Sequence, residues 1–143
     1  MSDRFVGGLR SSLRTVRGES ATERTYTTKH GTKATMEFGF FQQHFAARGI
    51  TTRVLEAAQR QELDRIIWEE LTHGRIEPAS RAAARTMLAD MARQGMEAII
   101  LGCTELSLLI EPADTPLPLY DTTRLHAEAI LAFAQGQKLD DPP

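Results

Sequence analysis

Ala98-Ile99-Ile100-Leu101-Gly102-Cys103-Thr104-Glu105 is the stretch on which the fold of this chain turns. The short apolar run at its start reads as a buried β-strand. A glycine turn then places Cys103, the only cysteine among 143 residues, at the strand's carboxyl end. Open α/β sheets bind their ligands at that end. The N–H groups of a helix beginning there would favour a thiolate over a thiol, because a helix N-terminus carries partial positive charge. A lone cysteine is often no more than a small buried hydrophobe, but the turn residues around Cys103 favour a working thiol.

Outward from this strand the pattern alternates. Pro78 opens a helix on which Ala83, Met87, Leu88 and Met91 fall at helical spacing, and Gly95 closes it. Gln59 to Leu71 reads as another helix, expected to bury Leu63, Ile66, Ile67 and Trp68, with Gly74 after it. Thr51 to Leu55 reads as a strand. Met36 to Arg48 reads as one helix with Met36, Phe40, Phe41 and Phe45 along one side, stopped by Gly49. On the other side of Cys103 come a short helix through Leu109, an extended segment from Pro116 to Tyr120, and a last helix over Thr122 to Ala134. Strands alternating with helices imply parallel βαβ units: an α/β three-layer sandwich with a short parallel sheet. The strands near 51–55 and 98–101 are expected side by side.

One element of that plan is weak. Arg24-Thr25-Tyr26-Thr27-Thr28-Lys29-His30 precedes the Gly31-Thr32 turn, where a buried strand belongs, yet it is polar and reads as an edge strand at best. Residues 1–30 carry six Lys/Arg against three Asp/Glu and read as a poorly ordered basic leader. Residues 31–136 read as the folded lobe, and 137–143 as a tail.

Composition narrows the functional class. Hydrophobic residues at 41% and charged residues at 25% are globular values. A net charge of −2 gives no general attraction for nucleic acid. No stretch reaches the roughly 20 apolar residues of a membrane helix, and no secretory signal opens the chain. One cysteine makes no internal disulfide, so the expected setting is cytoplasmic and reduced. His30, His44, His73 and His126 are widely spaced, and no metal or phosphate-loop motif is present.

Four segments in order carry a more specific signal. Ile99 to Leu106, followed by Pro118-Leu119-Tyr120-Asp121-Thr122-Thr123-Arg124-Leu125-His126-Ala127, resembles the second catalytic region of the aspartate/glutamate racemase family, closest to its aspartate racemase branch. Gly31-Thr32-Lys33-Ala34-Thr35-Met36 resembles that family's G-T-x-x-T-M loop, and Ile66-Ile67-Trp68-Glu69-Glu70-Leu71 one of its helices. The similarity runs from about Gly31 to Gln135.

The resemblance implies one lobe of a two-lobed fold and a racemase that uses neither pyridoxal phosphate nor metal. Two cysteines, one per lobe, face the substrate Cα from opposite sides; one thiolate removes a proton and the other thiol returns one. By position Cys103 is the second-lobe acid/base. Thr104, with Thr32, Thr35 and Met36, is implied to bind the substrate carboxylate through hydroxyl and backbone N–H groups, and Glu105 to orient the thiol or the substrate ammonium. Thr32 or Thr35 equally suits a helix cap, as do Asp121 and Thr122. The family's first-lobe strand and its C-T-N-T type motif are missing, so the chain reads as an incomplete copy. Its expected partners are a small acidic amino acid and either a second copy of itself or a missing first lobe. A catalytically silent binding or assembly module with the same fold is the alternative.

Overall fold

All four residues of Ala98–Leu101 are buried, and they alternate between two cores, as side chains of a strand covered on both faces must. Ile99 and Leu101 join the larger cluster, with Met36, Leu63, Ile66, Leu88 and Met91, while Ala98 and Ile100 join Phe45 and Ile50. The computed structural model describes residues 25–37, 39–47 and 49–136. The first 24 residues of the leader read over 1–30, and the tail read over 137–143, lie outside them.

In chain order the elements are β1 (Thr25–His30), α1 (Lys33–Glu37), α2 (Phe40–Ala46), β2 (Ile50–Val54), α3 (Ala57–Glu69), α4 (Pro78–Arg93), β3 (Ala98–Leu101), α5 (Leu106–Leu109), β4 (Leu119–Asp121) and α6 (Thr122–Ala134). Short 3-10 turns lie at Leu71–His73 and Pro112–Asp114. The strands form one parallel sheet in the order β2-β1-β3-β4.

This order corrects two expectations. Thr25–His30 is an interior strand, paired with β2 from Thr25↔Ile50 to Lys29↔Val54 and with β3 from Thr27↔Ala98 to His30↔Leu101. The folded lobe therefore takes in residues 25–30, which were read as part of the leader. For the same reason β2 and β3 are parallel but not neighbours. The physical cause is that β-branched threonine suits a pleated strand as well as valine does, so apolarity alone missed it.

Two helices also differ from their expected form. The stretch from Met36 onward is split at Gly39, where helix propensity is lowest, and Gln42 Nε2 donates to the freed carbonyl of Met36 at 2.9 Å. On α3 the buried stripe is Leu63, Ile66 and Ile67, while Trp68 is 58% exposed. One step along a helix turns a side chain by about 100°, which carries Trp68 off the stripe. Gly49, Gly74 and Gly95, expected as stops, all adopt left-handed φ of 74°, 71° and 77°, where a Cβ is strained.

The rest of the scaffold fixes the ends of the sheet. Glu70 is buried and accepts from Ser80 Oγ at 2.6 Å and Arg65 Nη1 at 2.8 Å, which locks the end of α3 to the start of α4. Asp121 caps α6, accepting from the N–H groups of Thr123 and Arg124, and Thr122 Oγ1 donates to the Leu101 carbonyl at 2.8 Å. α6 has no buried residue and turns Ile130, Leu131 and Phe133 to the surface. Among the described residues no helix is long and apolar enough to cross a membrane.

Candidate active site

β1 and β3 are adjacent and parallel, so the turns that follow them meet at one edge of the sheet. The backbone joins them directly: Gly102 N–H donates to the His30 carbonyl at 2.7 Å. Gly31 permits the close approach. A Cβ built there would lie 3.1 Å from Thr35 Cγ2, 3.3 Å from Thr35 Cβ and 3.5 Å from the Gly102 carbonyl carbon. Thr35 cannot give way freely, because its hydroxyl is 2.9 Å from that of Thr32. Gly31→Ala is therefore expected to lower stability by about 1 kcal/mol. Thermal unfolding measures it, and a variant as stable as the parent would contradict the packing.

The first turn carries Thr32 and Thr35. Thr32 caps α1: its Oγ1 accepts from Thr35 N–H at 3.3 Å, and its carbonyl accepts from Met36 N–H at 3.0 Å. Both threonines are partly buried. Met36 stands apart from the other expected binding residues. Its side chain is wholly buried in the larger core and its N–H is spent within the helix, which makes it a support beneath the loop.

The second turn carries Cys103, Thr104 and Glu105. Cys103 is half-buried, and its Sγ–H donates to Glu105 Oε2 at 2.9 Å. Thr104 Oγ1 donates to the same oxygen at 2.6 Å. These two bonds hold the Glu105 carboxyl below the usual carboxylate range. On the thiol the balance runs the other way. Burial, then the hydrogen bond and charge of Glu105, push it up to about 11, and the charge of Asp64 adds to them. A backbone N–H of Glu105 opposes the rise without reversing it. The expected thiolate-favouring helix start is overcome, since α5 begins at Leu106, has four residues and follows a carboxylate. At neutral pH the resting group is a thiol, disposed to donate a proton.

The structure thus brings Thr32, Thr35, Cys103, Thr104 and Glu105 to one end of the sheet. It adds a residue that the motifs do not contain. Asp64 on α3 accepts from Lys33 N–H at 2.7 Å and, with Thr32 and Trp68, lines an open groove of about 540 Å³. Its only signal in the sequence is a carboxylate beside the buried stripe of α3. Among the described residues no group of His, Cys, Asp and Glu is arranged to hold a metal ion.

Comparison with known proteins bears on the same region. A family model for Asp/Glu/hydantoin racemases matches residues 30–130. The crystal structure of a candidate Asp/Glu racemase from Yersinia pestis superimposes with a TM-score of 0.75 at 30% identity, over 92% of this chain and 55% of that one. An aspartate racemase homologue from Pyrococcus horikoshii OT3 gives a TM-score of 0.71 at 26% identity, with the same coverage of 92% and 55%. The chain spans about half the length of the solved structures it matches.

Proposed function

This chain belongs to the Asp/Glu/hydantoin racemase family, and from that premise we propose that it is one lobe of a cofactor-independent racemase in which Cys103 moves a proton at the Cα of a small acidic amino acid. The observation that carries the reading is the Cys103–Glu105 hydrogen bond of 2.9 Å at the carboxyl end of β3, with the Thr32 and Thr35 hydroxyls on the neighbouring turn.

The chemistry follows from this arrangement. In one direction the Cys103 thiolate takes the Cα proton, and the electron pair of the broken C–H bond moves into the substrate carboxylate. In the other the Cys103 thiol gives its proton to that carbanion and is left as thiolate. An amino-acid Cα–H is a very weak acid, so the step needs hydrogen-bond donors fixed around the developing charge. In this reading the hydroxyls of Thr32 and Thr35 supply them, with Thr104 alongside Glu105. Glu105 aligns the S–H and presents a carboxylate to the substrate ammonium. One cysteine serves one face of Cα. The opposite face needs a second thiol, from a first lobe or from another copy of the chain.

Substrate held over the thiol should shield it. Aspartate or glutamate at millimolar concentration is expected to slow alkylation of Cys103 by iodoacetamide severalfold at about pH 9, where enough thiolate exists to react, with alanine protecting less. Equal alkylation rates with and without every amino acid tested would contradict the proposal.

A further inference from the structure

Asp64 belongs to none of the motifs that surround Cys103, yet it touches the site in two ways. Its Oδ1 accepts the N–H of Lys33 at 2.7 Å, across 31 positions of sequence. Lys33 is the first residue of α1 and follows Thr32 directly. A five-residue helix has little stability of its own, so an anchor from α3 matters to where the Thr32 hydroxyl sits. Asp64 also forms part of the groove wall that begins at Thr32. Its negative charge reaches the thiol: the titratable groups that act on Cys103 are Glu105 on its own turn and Asp64 on α3.

We propose that Asp64 is a positioning residue of the Cys103 site, hanging the Thr32 turn from α3 and lining with a second carboxylate the groove that opens at that turn. The inference rests on Cys103 as the proton-transfer group. It gives the site a polarity that Glu105 alone would not. With two carboxylates acting on it, the thiol holds its proton until a cation arrives, and the ammonium of an amino acid is such a cation. Its entry offsets both charges and makes the thiolate easier to form.

Two variants separate the two roles. Asp64→Asn keeps an oxygen acceptor for Lys33 N–H and removes the charge, whereas Asp64→Ala removes both. The measurement is the rate of Cys103 alkylation by iodoacetamide against pH, on the full chain, with Glu105→Gln as reference. Asp64→Asn is expected to move the thiol titration down by about half a unit, less than Glu105→Gln does, with amide exchange at Lys33 and Thr35 unchanged. Asp64→Ala is expected to give the same downward move and faster exchange at those two amides. A titration of Asp64→Asn that superimposes on the parent overturns the charge role, and unaltered exchange in Asp64→Ala overturns the anchor. If Glu105→Gln also leaves the titration in place, the Cys103–Glu105 arrangement behind the proposed function fails with it. If Glu105→Gln moves it and Asp64→Asn does not, only the present proposal fails.

Discussion

Acidification from neutral pH to about pH 4 is expected to destabilise this lobe by about 3 kcal/mol through one side chain, His30. His30 ends β1 and is 1% exposed, and neither ring nitrogen has a hydrogen-bond partner among the described residues. Burial alone drives its pKa from 6.5 down to about 4. The folded chain thus keeps the imidazole neutral where the unfolded chain has begun to bind a proton. The contribution is fully present above about pH 6.5 and is lost as pH falls from there through 4. Carboxylates held low by their partners, among them Glu62, Glu70, Glu105 and Asp114, begin to lose their contributions only below about pH 5, so the upper part of the His30 window, from about pH 6.5 to 5, stands clear of theirs. Against a typical stability of about 5–15 kcal/mol, such a loss is large. His30→Leu removes both unpaired nitrogens and fills the site with an apolar side chain. Urea denaturation at a series of pH values should show the parent falling steeply between about pH 6.5 and 5 and the leucine variant nearly flat over that range. Equal slopes would mean that another group controls the acid transition.

The same residue shows what the sequence could and could not convey. β3 was legible because four consecutive apolar residues have no comfortable place except between two helical layers, and all four are buried. α4 and α6 were legible from their punctuation, Pro78 and Gly95 for one, the Asp121 cap for the other. β1 was not. The strand is rich in threonine and has no apolar run, and its interior position is set by backbone pairing with β2 and β3 on either side, which no local pattern reports. Trp68 was misjudged because apolar character says nothing about which side of a filled stripe a residue falls on. At the site, the meeting of the Thr32 and Cys103 turns followed from their resemblance to a known loop pair. The ionisation of Cys103 did not, since it depends first on burial and then on how Glu105 is turned onto the thiol, with the charge of Asp64 on α3 a smaller addition.

Replacing Cys103 is expected to have the largest functional effect. Serine keeps the shape and the hydrogen bond to Glu105, but its hydroxyl is a far weaker acid than a thiol and a poor base near neutral pH. Any Cα-proton transfer by the chain should therefore fall at least about 100-fold in Cys103→Ser, the scale of a lost general acid/base. Gly31→Ala, which shifts Thr35 rather than the thiol, should leave part of it. A second effect follows from there being one thiol per chain. A proton removed from one face of Cα and returned to the same face exchanges with solvent without inverting the centre.

Incubation of L- and D-aspartate and L- and D-glutamate with the purified chain in D₂O tests the central claim most directly, with deuterium at Cα followed by NMR and enantiomer ratio by chiral chromatography in the same samples. One acid/base per chain predicts slow deuterium incorporation with configuration retained, absent in Cys103→Ser, and racemization only at protein concentrations where two copies associate. Clear racemization by the monomer, or deuterium incorporation that persists in Cys103→Ser, would contradict it.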